Sequence, residues 1–385
     1  MTKRNLSPTG DPWLLTPGPL TTSLTVKQAM LHDYGSRDTA FIRINREIRE
    51  QLLDIIHGRD SHACVPLQGS GTFVVEAMIG TFVPAAGKLL ILVNGAYGRR
   101  IVKISEYYGI NHSALEWPED QPVDVAQLEA VLKADTGITH VAVVHCETTS
   151  GILNPLAVVA ACVAEHGRAL LIDSMSIFGA TAIDAGSLRF DALAASSNKC
   201  LEGVPGMGFC LARREALQAA KGNARSLSLD LYDQWQAMEA NAQWRFTPPT
   251  HCLLAFHQAL AEFHEAGGVA GRGGRYRKNC DRLVSGMRAL GFETLLADEL
   301  QAPIIVTFHM PADPAFVFQT FYDRLRERGF VIYPGKLTVA DSFRIGCIGR
   351  LDTTQIEAAL EAIKALLAEL GVASGAPASK QGNSI

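Results

Sequence analysis

The chain has 385 residues, 48% of them hydrophobic and 19% charged, with a formal net charge of −4. That composition supports a large core and more than one domain; the mild acidity, without a basic run, argues against nucleic acid or an anionic membrane as partner. No apolar run approaches the ~20 residues of a transmembrane helix. The opening MTKRNLSPTGDPWLL lacks the apolar core and small-residue cleavage site of a secretory signal, so the cytoplasm is the expected location. Eight scattered cysteines without a C-x-x-C pair read as buried reduced thiols, not as a disulfide framework or a zinc site, and no metal is expected.

In chain order, VPLQGSGTFVVEAMIG (65–80) comes first. Its Gly-Ser-Gly-Thr turn opens an apolar helix, offering free backbone N–H groups, two hydroxyls and a positive helix end. It reads either as a phosphate cradle or as a tight turn before a helix. It is neither a Walker loop nor G-x-G-x-x-G. GKLLILVNG (87–95), THVAVVHCET (139–148) and RALLIDSM (168–175) are short apolar runs suited to strands covered on both faces. DVAQLEAVLKAD (124–135) places Val125, Leu128 and Leu132 on one helical face. Between the second and third strands lies a helix with Asn154 as its expected N-cap, Pro155 at its first position and Gly167 as its stop. That crossover implies a parallel α/β sheet.

Asp173 ends the third of these strands, where open α/β sheets bind ligands; the alternative reading is an N-cap or a structural ion pair. Lys199 follows the apolar segment FDALAASSN. Buried in a crevice, it becomes a neutral nucleophile toward carbonyl carbon; at a rim, it is an ordinary snorkelling lysine. Past residue 250 the chain reads as a long helix (251–268), a glycine-rich stretch GGVAGRGGRYRKN, a helix (280–292), strand-like APIIVTFHM (302–310), a helix near 316–329, strand-like FVIYPG and SFRIGCIG, and a closing helix. In that last helix Ile356, Leu360, Ile363, Leu367 and Leu370 share a face. The expected domains are an N-terminal segment (1–20), a large α/β domain (21–255), a smaller C-terminal α+β domain (256–371) and a disordered polar tail (372–385).

A phosphate cradle, a strand-end Asp and a nucleophilic Lys, in that order, are what pyridoxal phosphate needs for its phosphate, its ring nitrogen and its aldehyde. LLTPGPLTTSLTVKQAM, LQGSGTFVVEA, VNGAYGRR, HCETTSGILNP, LIDSMSIFGA, SSNKCLEGVPG, VIYPGK and FRIGCIG together resemble the class V aminotransferases of the fold-type I pyridoxal-phosphate enzymes, over nearly the whole chain. RSLSLDLYDQW and WRFTPPTH resemble more narrowly a branch acting on a phosphonate-bearing amine. The resemblance implies a large domain with a mostly parallel, helix-covered sheet and a smaller C-terminal α+β domain. It implies transamination of 2-aminoethylphosphonate with pyruvate, with alanine– or serine–glyoxylate transamination as the alternative. It makes Lys199 the catalytic lysine that bonds the cofactor and Asp173 the ring-nitrogen partner. Ser70, Gly71 and Thr72 become phosphate contacts with Asn198 beside them. Tyr97 becomes the stacked aromatic, and Thr148 a contact near the ring hydroxyl. Arg344 is implied as the clamp on the substrate's carboxylate or phosphonate, and Thr16 and Gly18 as residues near the substrate. A hydroxyl from the second subunit, Thr247 or Thr250, would complete the phosphate site of an obligate homodimer with shared active sites.

Overall fold

The structure, a computed structural model, describes residues 5–337 and 340–378. Seven strands form its main sheet: β1 (His62–Gly69), β2 (Lys88–Val93), β3 (Asn111–Glu116), β4 (His140–Val144), β5 (Ala169–Asp173), β6 (Ala192–Ser196) and β7 (Gly206–Arg213). Their spatial order is β1-β7-β6-β5-β4-β2-β3. Strands β2 to β6 pair in parallel, and β7 runs antiparallel to both its neighbours. The sheet is therefore mixed, with a single reversed strand. The apolar runs alternate between two cores: Leu90 and Leu92 of β2 enter one, and Leu89, Ile91 and Val93 the other. Both faces must then be covered by helices.

Five helices in the first half of the chain do most of that covering: α1 (Thr39–Ile55), α2 (Gly71–Phe82), α3 (Ala96–Tyr107), α4 (Val125–Ala134) and α5 (Leu156–Glu165). Helices α2 and α3 pack on one face, and α1, α4 and α5 on the other. The β4–α5–β5 crossover is present as the sequence implies, with His140 to Val144 in register with Ala169 to Asp173. The cap of α5 is not as expected. Pro155 occupies it, without a side-chain bond, and Asn154 turns inward. Its amide donates to Asn94 Oδ1 (3.1 Å) and the Val144 carbonyl (2.8 Å), and its oxygen accepts from Asn94 Nδ2 (2.8 Å) and the Val123 N–H (3.1 Å). A buried amide that finds four such bonds gains more than a cap's single one.

Two longer helices of the middle, α6 (Thr250–Glu265) and α7 (Gly268–Ala289), correct the reading of 267–279 as a glycine-rich stretch between helices. Gly267 caps α7, and the other glycines lie inside it. A Cβ on Gly273 would stand 2.1 Å from the Ala180 carbonyl oxygen, so the helix uses the missing side chain to lie against that backbone. Close approach thus outweighs the roughly 1 kcal/mol that a helical glycine costs. Leu253 to Phe263 of α6 belong to the large core, and Cys280, Leu283 and Met287 of α7 to a third core. The change of core falls along α7, later than the composition change near residue 250.

That third core is closed by helices α8 (Phe318–Glu327) and α9 (Thr353–Leu370) and by an antiparallel sheet of β8 (Ile305–His309), β9 (Tyr333–Pro334) and β10 (Ser342–Gly346), in the order β8-β10-β9. Asp352 and Gln355 form a capping box at the start of α9, and Gly371, at φ 70°, ends it. Trp13–Leu14 pairs in parallel with Phe330–Val331, which ties the N-terminal segment to this layer. The first part of the tail is pinned: the Ala373 N–H donates to Asp313 Oδ2 (2.8 Å) and the Gly375 N–H to the Leu290 carbonyl (3.1 Å). Residues 379–385 of that tail lie outside the described residues. Among the described residues no helix is long and apolar enough to cross a membrane.

Candidate active site

The carboxyl ends of the strands converge on one crevice, as expected for an open α/β sheet. β1 ends at Gly69 and hands the chain to the start of α2; β2 leads into α3; β5 ends at Asp173; β6 leads to Asn198 and Lys199. Ser70, Gly71 and Thr72, with Tyr97, Asp173, Asn198 and Lys199, line a cavity of about 430 Å³. Ser70 holds the extended cap geometry of α2 (φ −83°, ψ 170°), yet its hydroxyl makes no bond to the helix. The hydroxyl and the first N–H groups of α2 are thereby placed as an anion cradle.

Lys199 Nζ donates to the Pro17 carbonyl (2.8 Å) and the Gly18 carbonyl (3.4 Å). The N-terminal segment thus forms one wall of the site. Gly18 has φ 116°, and a Cβ there would lie 2.7 Å from Lys199 Nζ, so the lysine occupies the space a side chain would take. Burial lowers the Lys199 pKa to about 8; the Cys200 thiol and Asp173 carboxylate oppose the shift, and the charges of Lys336 and Arg344 add to it. Asp173 is buried, with Oδ1 accepting the Met175 N–H (2.9 Å). Burial pushes its pKa up to about 6, against the pull of that N–H and of Arg100 and Lys199.

These residues fit pyridoxal phosphate. A buried carboxylate held at the end of β5 is stabilised by a cationic ring N–H, and the α2 cradle suits a phosphate. Ser196 Oγ, on the same cavity wall, is a buried hydroxyl without a hydrogen-bond partner among the described residues. An incoming polar ligand is the natural partner for such a group.

Two contributors escaped the sequence reading. Buried Glu147 accepts the N–H groups of Tyr97 (3.1 Å) and Gly98 (3.2 Å) and the Thr149 hydroxyl (2.6 Å). It caps α3 from another element and fixes where the Tyr97 ring stands; burial raises its pKa. Arg100 lies three residues beyond Tyr97, on the same helical face. Its guanidinium carbon is 4.7 Å from the Tyr97 ring centroid, and Nη1 donates to Thr72 Oγ1 (3.1 Å). Helical spacing could have exposed Arg100. Glu147 left only the signal of an acidic residue ending an apolar strand.

The other residues expected from the family resemblance do not line the cavity itself. Arg344, buried on β10, donates from Nε to the Pro334 carbonyl (3.1 Å) and from Nη1 to the Thr148 carbonyl (2.9 Å); burial lowers its pKa. Thr148 is buried and meets Arg344 through its backbone. Thr16 is buried, and its hydroxyl donates to the Pro19 carbonyl. Thr247 lies apart from Lys199, exposed on a neighbouring groove that shares Gly69 and Gly206 with the first cavity. Phe73 and Phe246, 51% and 43% exposed, line that groove. Thr250 begins α6 and is half-buried.

Comparison with known proteins agrees with this geometry. The family described as aminotransferase class-V matches residues 23–335. The chain is 54% identical to a 2-aminoethylphosphonate–pyruvate transaminase of Pseudomonas fluorescens, over 94% of this chain and 98% of that protein. It is also 54% identical to one from Cupriavidus necator, over 95% and 97% respectively. Among solved structures, ureidoglycine–glyoxylate aminotransferase from Bacillus subtilis matches with a TM-score of 0.86 at 22% identity, covering 94% of each chain.

Proposed function

The chain belongs to the class-V aminotransferases, and from that premise we propose that it transfers the amino group of 2-aminoethylphosphonate to pyruvate, giving phosphonoacetaldehyde and alanine. It is a pyridoxal-phosphate enzyme. The observation that carries the substrate is the 54% identity, over nearly the full length of both chains, to transaminases of that name. The fold likeness at 22% identity bears on architecture alone.

Pyridoxal phosphate, when bound, draws electrons from the substrate carbon and so makes its proton removable. The chain's residues divide the remaining work. Ser70, Gly71 and Thr72 hold the phosphate, with Asn198 beside it and Arg100 bonded to Thr72. Asp173 keeps the ring nitrogen protonated. Tyr97, set by Glu147, would cover the ring face. Lys199 Nζ, whose burial favours the neutral amine, would take the proton from the substrate carbon and deliver it to the cofactor carbon bonded to the transferred nitrogen. Arg344 binds the carboxylate of pyruvate or the phosphonate through its planar fork. Thr148 fixes Arg344, and Thr16 and Gly18 shape the entrance beside Lys199.

The test is a half-reaction screen. The holoenzyme is mixed with 2-aminoethylphosphonate, alanine, serine and taurine, and the visible absorbance of the cofactor is followed. Depletion by 2-aminoethylphosphonate, with pyruvate restoring the spectrum, is the expected result. Depletion by serine with none by 2-aminoethylphosphonate overturns the reading in favour of a glyoxylate-type transaminase.

The assembly is a homodimer in which Thr247 reaches the partner's phosphate. Its exposure beside Phe73 and Phe246, on a groove that adjoins the cavity, supports this. One hydrogen bond to a charged phosphate is worth about 1.5–3 kcal/mol. Thr247→Ala should therefore weaken cofactor binding by roughly tenfold or more, whereas Thr250→Ala should change it by less than about twofold. Sedimentation together with cofactor titration checks both points. A monomer, or a larger loss with Thr250→Ala, would contradict the assignment.

A further inference from the structure

We propose that Lys336 is the second cation of the substrate's anion site, making that site favour a doubly charged phosphonate over a singly charged carboxylate. The inference rests on the transamination reading above.

Three positions meet at this point. Tyr333 of β9 lies directly opposite Arg344 of β10, and the Pro334 carbonyl accepts the Arg344 Nε–H at 3.1 Å. The Gly335 N–H donates to the Ser342 carbonyl (2.9 Å), which closes the base of the hairpin. Lys336 is the next residue, so it leaves the same hairpin base that grips Arg344. Its ammonium stands 5.9 Å from the centroid of the Tyr97 ring. Its charge, like that of Arg344, is felt at Lys199. One backbone segment therefore carries two cations toward the place where the substrate meets Lys199.

The other cation at the Tyr97 ring is directed elsewhere. Arg100, at 4.7 Å from the centroid, donates to Thr72 in the phosphate cradle and so belongs to the cofactor's side. That leaves Arg344 and Lys336 for the substrate. A carboxylate offers two oxygens in one plane and a single charge, which one guanidinium fork satisfies. A phosphonate takes a second charge once its second proton is lost, at a higher pH than a phosphate monoester because carbon withdraws less than the ester oxygen, and it has a third oxygen outside that plane. A flexible ammonium acting as a point charge suits this third oxygen. Lys336 is exposed at the hairpin's start and is not part of the packed core, so its replacement leaves the fold's apolar packing intact.

The test uses the holoenzyme with two unreactive probes, ethylphosphonate and propionate, titrated by calorimetry at a mildly alkaline pH where the phosphonate is doubly ionised, in wild type, Lys336→Gln and Lys336→Arg. Wild type should prefer ethylphosphonate. Lys336→Gln should weaken ethylphosphonate binding by roughly fivefold, the upper end for an exposed ion pair, and propionate by less than about twofold. Lys336→Arg should restore most of the loss. In turnover, kcat/KM for 2-aminoethylphosphonate should fall in Lys336→Gln by a similar factor, while that for alanine in the reverse direction holds. Equal weakening of both probes, no weakening of either, or an arginine variant no better than the glutamine variant overturns the role of Lys336 alone. A wild-type enzyme that prefers propionate overturns the phosphonate reading and this inference with it.

Discussion

Replacing Lys199 with alanine is expected to lower kcat by on the order of ten-thousand-fold, the upper range for losing a positioned acid–base group. Cofactor should still co-purify, because the α2 cradle and Asp173 remain, but borohydride should no longer fix it to the chain. Lys199 has two properties the reaction needs. Its Nζ is placed by the Pro17 carbonyl at 2.8 Å, and burial brings its pKa down to about 8 from the ordinary 10.5. The same burial predicts a stability effect of definite sign. The unfolded chain holds the lysine proton up to pH 10.5, and the cofactor-free folded chain only to about 8. Unfolding therefore takes up a proton between those values, and stability rises as pH climbs through that window. Below about pH 8 the folded apoprotein carries the full cost of the buried ammonium. Lys199→Met, which keeps the stem, should melt at a higher temperature than wild type as apoprotein at pH 7, with the gap narrowing toward pH 10.5. A variant at Lys199 that keeps kcat within about tenfold of wild type would remove the lysine from the chemistry.

What the sequence disclosed, and what it withheld, follows from the range of the forces involved. The β4–α5–β5 crossover was legible because burial on both faces imposes continuous apolar runs, a local and redundant signal. Asp173 and Lys199 were legible because a charged residue ending such a run is costly unless it has a task. Asn154 looked like a cap because its neighbours are local, whereas its actual partners, Asn94, Val123 and Val144, come from other parts of the chain. The glycines of α7 signalled a loop by propensity, and only the fold brings Ala180 against Gly273, the one position where that backbone leaves no room for a side chain. Glu147 caps a helix some 50 positions away in sequence, and no spacing rule reaches that far. Arg344 is expected at the site only through the family resemblance, and its seating depends on the Pro334 and Thr148 carbonyls, which only the fold assembles.

Asp173→Asn should reduce kcat by about a hundred- to a thousandfold, the range seen when one preorganised electrostatic group is lost. The substitution keeps the size of the side chain, and its oxygen can still accept the Met175 N–H that Oδ1 now takes at 2.9 Å. The loss is then electrostatic, because an amide cannot hold a proton on the ring nitrogen. A pH signature separates this from general damage. In the cofactor-free protein, burial pushes the Asp173 pKa up to about 6, so below that pH the carboxyl holds a proton. Binding a cationic ring needs the carboxylate, so that proton must leave, and affinity falls as pH drops below about 6. Above that value Asp173 adds no pH dependence. The cofactor's own phosphate titrates in the same region, with a second pKa near about 6. The informative quantity is therefore the difference between wild type and Asp173→Asn, in which the phosphate contribution cancels. Cofactor dissociation constants measured from pH 5 to pH 8 should diverge in slope below about pH 6, with the wild type the steeper. Parallel curves would mean that Asp173 is not the ring's counter-charge. The residue at the end of β5 would then be a structural carboxylate, bonded to Met175 and nothing more.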